Sequence, residues 1–450
     1  MLWCLLLLGG CLAASPRAGG SGAVLRMDVR TIGHAISTAL NESDVLQKLG
    51  EGATKKKADT KPIKGISGLK VMELRATEVA LQLSPAVGIS MDVLVQMTLK
   101  GKRFIGGKME IPVAANLSAS SRMVRDMQGC PRLSTGRCHV ALLCSWTNVP
   151  PRMLPLVVST LQKALRDLLC PAMDMVLDLV NAKFATMMYA IPLGNAGMLQ
   201  YALLNPPTVT EAFIQLELKT ILRSKEGEEV ALPTDLPPLT SFPPKREATT
   251  QLVLAASFLN AELSVMQASF GLNITNGMVL GLLPLVTTML GALIPEISSM
   301  LPPSRPVVIE MQEAQPPLVT ITPEKSTVHL YSTAEFWAST PGSAPESLFV
   351  LDVHSELGVR FAVAEERLQF SLMLHSLSQV AVVNSSIGAF NVLSLRGALA
   401  DIIHVAYVPS INRALRGGVP LPPLLGAPYQ HVELRQMQDG LVLDVPVAEH

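Results

Sequence analysis

The sequence predicts an α+β protein built of two similar modules, each a strongly twisted antiparallel sheet wrapped around long helices. Three observations support this prediction. Both halves of the chain show the same order, namely a helix, then alternating strands, then a long helix that contains a proline. The strands extend over roughly nine to thirteen residues, longer than the usual five or six, which favours antiparallel, twisted sheets. A Pro-rich segment, residues 231–248, divides the chain almost evenly.

In the first half, apolar residues spaced three or four apart predict an amphipathic helix that starts at Leu25 and includes Val29, Ile32, Ile36 and Leu40. Strands follow, because the apolar residues at 91, 93, 95, 97 and 99 alternate with mostly polar ones. A second helix is predicted over 153–187. We expect it to break near Cys170 and Pro171, since proline disrupts a helix interior.

The second half repeats this plan. A helical segment is predicted from Val253 to Phe270, and strands over residues 351–363 and 368–374. A final helix is predicted over 391–416, interrupted at Val408 and Pro409. The uncharged run 277–294 is interrupted by Pro284, so we expect a turn and a buried helix ending before Pro295 rather than a membrane-spanning helix.

The N-terminus reads as a secretory signal peptide over residues 1–18. Residues 2–12 are almost wholly apolar and are followed by Ala13, Ala14 and Ser15, and the apolar stretch is too short to span a bilayer. The remaining chain is expected to form an N-terminal module (19–230), a Pro-rich linker (231–248) and a C-terminal module (249–450). Secretion is the expected destination, with the lumen of the endoplasmic reticulum as the alternative.

Cysteines and glycosylation sequons agree with a secretory route. After removal of the leader four cysteines remain, Cys130, Cys138, Cys144 and Cys170. They form no CxxC pair, which argues against a zinc site or thioredoxin-type chemistry. In an oxidising compartment we therefore expect one or two structural disulfides. The Asn-x-Ser/Thr triplets give four candidate glycosylation sites, Asn41, Asn116, Asn273 and Asn384.

Composition and motifs exclude several classes of function. Of the 450 residues, 49% are hydrophobic and 16% charged, and 36 basic residues balance 36 acidic ones, which argues against disorder and against nucleic-acid binding. No phosphate loop, dinucleotide fingerprint, zinc-protease motif or nucleophile elbow occurs, and the eight histidines are scattered. Asp174 and Asp178 are expected to form a solvated stripe. We therefore predict a protein without catalytic residues, metal or cofactor.

Several short strings resemble the bactericidal/permeability-increasing (BPI), LPS-binding and lipid-transfer family, and within it BPI fold-containing family B. The matching strings lie at residues 61–71, 104–111, 170–174, 213–216, 294–296, 385–388 and 419–422, and they span nearly the whole chain after the leader. The resemblance implies a boomerang of two BPI-type modules joined by a central sheet, each with an apolar pocket for phospholipid acyl chains. It also implies a disulfide between Cys138, expected to open a strand over 139–146, and Cys170. The pairing of Cys130 and Cys144 stays open.

The expected function is therefore binding of a phospholipid or another acyl lipid, with a membrane surface as a further contact. Candidate pocket residues are the apolar positions Leu25, Val29, Ile32, Ile36, Leu40, Val93, Val95, Met97, Val157, Leu161 and Leu165, for which ordinary core packing is the alternative. Candidate headgroup contacts are Lys55, Lys56, Lys57, Lys61, Lys64, Lys100, Lys102 and Arg103, for which a solvated loop is the alternative.

Two other functions stay open from the sequence. One is an LPS-binding or antimicrobial protein of innate defence, although zero net charge favours neutral or zwitterionic lipid. The other is a luminal protein of the endoplasmic reticulum or Golgi that acts in secretory trafficking through membrane or partner contacts. The oligomeric state is also left open.

Overall fold

The structure is a computed structural model that describes residues 22–42, 66–85, 87–103, 108–143, 154–230, 239, 242–279, 281–339 and 344–447. The first part of the chain forms β1 (Ala23–Asp28), α1 (Val29–Glu42), β2 (Ile66–Ser84), β3 (Gly88–Arg103), β4 (Lys108–Arg125), β5 (Pro131–Leu142), α2 (Leu154–Thr186), β6 (Ile191–Leu193), β7 (Gly197–Leu203), β8 (Thr208–Val209), β9 (Phe213–Ser224) and β10 (Glu229–Val230). The second part forms β11 (Thr249–Ala255), α3 (Ala256–Met266), β12 (Leu272–Ile274), α4 (Thr287–Leu293), α5 (Pro295–Met300), β13 (Val307–Ile321), β14 (Ser326–Ala338), β15 (Glu346–Ala364), β16 (Arg367–Ser385), α6 (Leu393–Ile402), α7 (Val408–Ala414), β17 (Val419–Pro420), β18 (Glu433–Met437) and β19 (Gly440–Pro446).

These elements form two modules on either side of a shared central sheet, which confirms the predicted α+β class. The N-terminal sheet has the order β2-β3-β4-β5 and the C-terminal sheet the order β12-β13-β14-β15-β16-β17, and neighbouring strands in both are antiparallel. In β3 the residues at 91, 93, 95 and 97 are buried, whereas Asp92 and Gln96 are exposed. The predicted period-two alternation is therefore present.

The central sheet joins the two halves directly. Its order is β18-β19-β11-β1-β9-β7-β6, with β8 and β10 also paired to β9. The first described strand, β1, thus lies between β9 and β11, and β11 is the first described strand of the second half. Most of the Pro-rich segment lies outside the described residues, so the domain boundary there stays a prediction.

Buried polar groups cross this junction. Lys245, from the Pro-rich segment, forms an ion pair with Asp28 of β1 at 2.7 Å, and both side chains are less than one-tenth exposed. Gln251 of β11 donates to Asp444 of β19 at 2.9 Å. Arg26 of β1 donates to the side chain of Gln251 and to the carbonyl of Pro243. Each of these polar side chains therefore has a partner from another strand or from the Pro-rich segment.

Two predicted helix starts were wrong, for the same reason. Leu25 lies in β1, opposite Leu216 on one side and Leu252 on the other, and α1 begins only after Asp28. The Asp28 carboxylate accepts the backbone N–H of Arg30 at 3.0 Å, as an N-terminal cap does. Val253 likewise lies in β11 and not in α3, because Val253 pairs with Val24 and with Val442. Strand pairing across the chain overrides the local helical spacing.

The predicted break at Cys170 and Pro171 was also wrong, because α2 is continuous from Leu154 to Thr186. Pro171 lies on the exposed side of α2, and the carbonyl that loses its helical donor belongs to exposed Asp167. Water can satisfy that carbonyl, so the proline is tolerated. Cys138 does not open its strand either, since β5 begins at Pro131 and pairs with β4 from there; residues 144–146 of the predicted strand lie outside the described residues.

The last long helix is irregular at a different position from the one predicted. The path from Leu393 to Ala414 is helical throughout, with a π-helical turn over Ile403–Tyr407 between α6 and α7. Pro409 lies in the first turn of α7, so the irregularity comes before the predicted position. In the apolar run 277–294, α4 ends before Pro295 as expected. Among the described residues no helix is both long enough and apolar enough to cross a bilayer.

Candidate functional site

The candidate pocket lies where α1 and α2 pack against the N-terminal sheet. Helix α1 packs on β2 and α2, and α2 packs on β5. The structure brings most of the predicted wall residues into this one cluster: Ile32, Ile36, Leu40, Val93, Val95, Met97, Leu161 and Leu165 are each at most 6% exposed. Val29 is half-buried against the same cluster. Their assignment to a lipid pocket stays a prediction.

For two of the predicted wall residues the structure gives a different element or describes no side chain. Leu25 is fully buried but lies in the central sheet, on β1. Val157 lies in the first part of α2, and its side chain is outside the described part of the chain. The sequence reasoning also missed the second half of the α2 face, Leu169, Met173, Val176, Val180 and Phe184, all buried. Their spacing of three or four would have revealed them.

A disulfide links the long helix to the edge strand of the sheet. The Cys138–Cys170 bond joins β5 to the middle of α2, with the two Cα atoms 6.0 Å apart, as predicted. Two amide side chains of α2 also bond to the β5 backbone. Asn181 accepts the N–H of Leu133 at 2.7 Å and donates to its carbonyl at 3.0 Å, and Gln162 donates to the carbonyl of Val140. Helix α2 is thus attached along the length of β5.

The C-terminal module shows the same arrangement without the disulfide. Asn412 of α7 accepts the N–H of Leu372 on β16 at 2.8 Å and donates to its carbonyl at 2.8 Å. In both modules an asparagine on the last helix therefore bonds to the backbone N–H and C=O of a strand residue, which a neighbouring strand would otherwise do. This shared contact supports the predicted repeat of one plan in both halves.

Cys130 and the acidic pair lie near the turn between β4 and β5. Cys130 is buried and has no disulfide partner among the described residues, and burial, with Asp126 nearby, raises the pKa of its thiol. Cys144 lies outside those residues. Asp174 and Asp178 are exposed, as predicted. They border a mixed polar groove of 580 Å³, where Asp174 accepts from Thr135 and Asp178 lies 3.4 Å from Arg132.

Part of the predicted basic patch lies at one end of the N-terminal sheet. Lys100 is exposed and forms an ion pair with Glu110 at 2.9 Å. Lys102 and Arg103 end β3, and their side chains are outside the described part, as are Lys55, Lys56, Lys57, Lys61 and Lys64 altogether. The register adds two cations that the sequence reasoning missed, because it places Lys70 opposite Lys100 and Lys108 opposite Lys102.

The four sequons differ in accessibility. Asn273 on β12 and Asn384 near the end of β16 are exposed. Asn116 on β4 is half-buried, and Asn41 lies at the end of α1 with its side chain outside the described part. Their glycosylation stays a prediction, for which Asn273 and Asn384 are the accessible positions.

The interior of the C-terminal module contains more buried polar and aromatic contacts than the described interior of the N-terminal module. Glu313 on β13 accepts hydrogen bonds from Tyr407 of the π-helical turn and from Ser332 on β14. Burial raises the pKa of both Glu313 and Tyr407, while the two hydroxyl donors partly offset the rise at Glu313. Phe349 packs against Phe336 and Phe390, with ring centroids 4.5 and 4.9 Å apart.

Comparisons with known proteins agree with this architecture. The N-terminal and C-terminal domain models of the LBP / BPI / CETP family match residues 25–180 and 193–448. The chain is 37% identical to human BPI fold-containing family B member 6 over 98% of this chain and 99% of the relative. It is 36% identical to the mouse protein of that name over 97% and 98%. The crystal structure of lipopolysaccharide binding protein aligns with a TM-score of 0.53 at 18% identity, over 95% of this chain and all of that one. The chain belongs to the LBP / BPI / CETP family.

Proposed function

We propose that the chain binds an acyl lipid between α1, α2 and the N-terminal sheet, without catalysis. The observation that supports this most directly is that the apolar faces of two helices converge on one apolar face of a curved sheet. Several of the facing side chains are methionines, among them Met91, Met97, Met123 and Met173. Methionine is flexible and fills irregular space, which suits a slot that must fit acyl chains of different length.

The affinity would come from the acyl chain and the orientation from the headgroup. Each buried methylene contributes about 0.8 kcal/mol, so a long chain suffices in an apolar slot. The cations Lys70, Lys100, Lys102 and Lys108, brought together by the register at one end of the sheet, would contact the phosphate of the lipid or of a membrane surface. Phospholipid is the ligand that we favour, because the chain has no net charge.

A small-to-large substitution distinguishes a lipid slot from a close-packed core. Val95→Phe adds volume to the β3 face. If that face lines a slot, lipid uptake from vesicles and the lipid recovered by native mass spectrometry should fall, while the thermal midpoint stays unchanged. If the face is close-packed, the variant should lose about 1–3 kcal/mol of stability and keep its lipid uptake.

Val253→Phe provides the matched control. Val253 is fully buried between Val24 and Val442 in the central sheet, away from the proposed slot. We expect this control to lose stability without a specific loss of lipid uptake. Purified protein that carries no lipid and takes none up from vesicles would refute the proposal.

We also propose that the protein follows the secretory route, either to the outside of the cell or to the lumen of the endoplasmic reticulum. Support comes from the leader-like N-terminus, the disulfide and the exposed sequons. Fluorescence microscopy combined with the amount of protein in the medium distinguishes the two destinations.

Lipopolysaccharide is the second candidate ligand. The structural relative named above is a lipopolysaccharide binding protein, and a 23% identical relative from Sebastes schlegelii is a bactericidal permeability-increasing protein. Binding of purified protein to lipid A, compared with phosphatidylcholine, tests this alternative. A preference for lipid A would favour it.

A further inference from the structure

The last long strand of the C-terminal sheet, β16, has an edge that other elements leave largely open. On one side β16 pairs with β15 along its length, but on the other side β17 pairs only with its first two residues. Asn412 of α7 bonds to the backbone of Leu372, and Arg396 of α6 donates to the carbonyl of Leu377. Over residues 379–384 the described chain adds no further backbone hydrogen bond on that side.

The corresponding strand of the N-terminal module, β5, is protected along its length. Helix α2 is attached to it by the Cys138–Cys170 disulfide and by hydrogen bonds from Asn181 and Gln162. The strand also begins with Pro131 and contains two arginines. Proline and charged side chains on an edge strand hinder the addition of a further strand. The two modules therefore differ in how this edge is protected.

The sequence of β16 lacks both kinds of protective residue. Residues 368–385 include no proline, glycine, aspartate, glutamate, lysine or arginine, whereas β13, β14 and β15 each contain at least one glutamate. Val382 and Val383 are 39% and 63% exposed, and Val383 has no partner on β15 because the register shifts there. An uncharged edge that exposes β-branched residues is the kind of strand to which a second chain adds.

A glycosylation sequon lies directly beside these valines. Asn384 begins the triplet Asn384-Ser385-Ser386, and its side chain is exposed and forms no hydrogen bond among the described residues. The open stretch 379–384 extends about 17 Å from Asn384, at about 3.3 Å per residue. An N-glycan is bulky and solubilising, so its attachment at the end of so short a stretch would hinder the approach of another strand.

We propose that Asn384 carries an N-glycan and that this glycan prevents two copies of the protein from pairing through β16. The excluded partner is a second copy, because two identical edges can pair antiparallel about a two-fold axis and their uncharged sequence offers no repulsion. The proposal rests on the proposed secretory route but not on lipid binding. Asn273, the other accessible sequon, lies on β12 at the opposite edge of the same sheet. It serves as a comparison, because β12 has only three residues and short edge strands are poor templates for pairing.

Peptide mapping of the full chain, expressed in a glycosylating cell line, tests the modification. Peptide N-glycosidase in heavy-oxygen water converts each glycosylated asparagine to labelled aspartate, and we expect the label at Asn384. An unlabelled Asn384 together with another labelled sequon overturns the proposal and leaves the secretory route intact. Absence of label at all four sequons also overturns the proposal, and the route is then decided by the microscopy and the assay of the medium described above.

Sedimentation velocity over a range of protein concentrations tests the role of the glycan. Asn384→Gln should self-associate at a concentration at least about tenfold lower than the wild type does. Folded wild-type protein trimmed by an endoglycosidase that leaves a single sugar should do the same, so the result does not depend on the folding of the variant. Asn273→Gln is the matched control and should behave like the wild type. Ser386 is left unchanged, because its hydroxyl donates to the carbonyls of Ser347 and Leu348.

A second substitution locates the contact between the two copies. Added to Asn384→Gln, Val383→Lys should restore the sedimentation of the wild type, because a charge on the edge opposes strand pairing. Leu318→Lys places the same charge at an exposed apolar position of β13 and should not restore it. The proposal is overturned if Asn384→Gln and the trimmed protein both self-associate no more than the wild type. It is also overturned if Val383→Lys leaves the self-association of Asn384→Gln unchanged.

Discussion

The two modules share one plan but stabilise their interiors differently. In the N-terminal module the described buried residues of the sheet are mostly aliphatic or methionine, with Ser121 as a buried polar exception, and a disulfide attaches α2 to β5. In the C-terminal module buried Phe336 and Phe349 pack together with half-buried Phe390 against Phe349, and the buried carboxyl of Glu313 is hydrogen-bonded inside the module. A contact between an asparagine of the long helix and the backbone of the last long strand is common to both.

This difference indicates in which module the buried side chains can rearrange around a bound ligand. Aromatic rings in contact fill their volume with defined geometry, and their removal leaves a cavity. Flexible aliphatic and methionine side chains can rearrange around a guest, but they fix the sheet and helix less firmly. A covalent link between helix and strand then maintains the module whether or not lipid is present. We therefore expect the N-terminal module to be the adaptable one.

The largest effect that we expect is the loss of an aromatic ring from the C-terminal interior. Phe349→Ala should reduce the free energy of unfolding by about 3–5 kcal/mol, because Phe349 is 1% exposed and contacts two other rings. Met97→Ala in the N-terminal interior is the counterpart. It should cost about 2 kcal/mol, the lower end for a buried methionine, since flexible neighbouring side chains can refill the space. Calorimetric unfolding of both variants checks this, and equal costs would contradict the comparison.

Removal of the disulfide should come next. The bond closes a loop with a sequence separation of 32, so Cys138→Ala with Cys170→Ala should cost about 3–4 kcal/mol. Hydrogen exchange followed by mass spectrometry should show faster exchange in α2 and β5 but unchanged exchange in α6 and α7. Cys130→Ala, which removes a buried thiol without a disulfide, is the control. Faster exchange in the C-terminal helices as well would mean that the two modules are not stabilised separately.

The sequence predicted the buried faces better than the ends of the elements. Alternation at Val93, Val95 and Met97 was enough to identify the strand face, because a strand with one buried face leaves that pattern in any context. Leu25 and Val253 were misassigned since their pairing partners are distant in the sequence. Pro171 was expected to break α2, but whether water reaches the unpaired carbonyl depends on which side of the helix faces the solvent.

The candidate site was predictable in part for the same reason. Helical spacing identified Ile32, Ile36, Leu161 and Leu165 as buried, but it cannot tell a lipid slot from a close-packed core. The side-chain contact of Asn181 with β5 carries no local signal, because it requires an edge strand placed by the tertiary fold. The cations at positions 70 and 108 became neighbours of Lys100 and Lys102 only through the strand register.

A buried carboxyl group in the second half of the chain should make the stability of the protein depend on pH. Glu262 of α3 is fully buried, and both carboxyl oxygens lack a hydrogen-bond partner among the described residues, so burial raises the pKa of Glu262 well above its usual value. The unfolded chain releases this proton near the usual pKa, whereas the folded chain keeps it. Stability is therefore highest below the usual pKa and falls as pH rises until the folded pKa is passed.

Glu262→Gln removes this dependence. Relative to the variant, the wild type should lose up to about 1.4 kcal/mol per pH unit above the usual pKa of glutamate. Urea unfolding at about pH 5 and about pH 6.5 measures the difference, roughly 2 kcal/mol, and other titrating groups cancel between the two proteins. Parallel pH profiles for wild type and variant would show that Glu262 does not retain its proton.

The smallest effect concerns the basic end of the N-terminal sheet. Lys102→Gln should weaken binding to phosphatidylserine-containing vesicles by about 1 kcal/mol, or about fivefold, because each cation near an anionic surface contributes about that much. Lys100→Gln should have a smaller effect, since Lys100 is already paired with Glu110. Lys225→Gln, at an exposed turn of the central sheet, should bind like the wild type. Vesicle co-sedimentation at low salt measures all three. Equal losses for Lys102→Gln and Lys225→Gln would mean that vesicle binding depends on the total charge of the protein and not on this end of the N-terminal sheet. The two modules would then differ in how their interiors are packed, but not in how they contact a membrane.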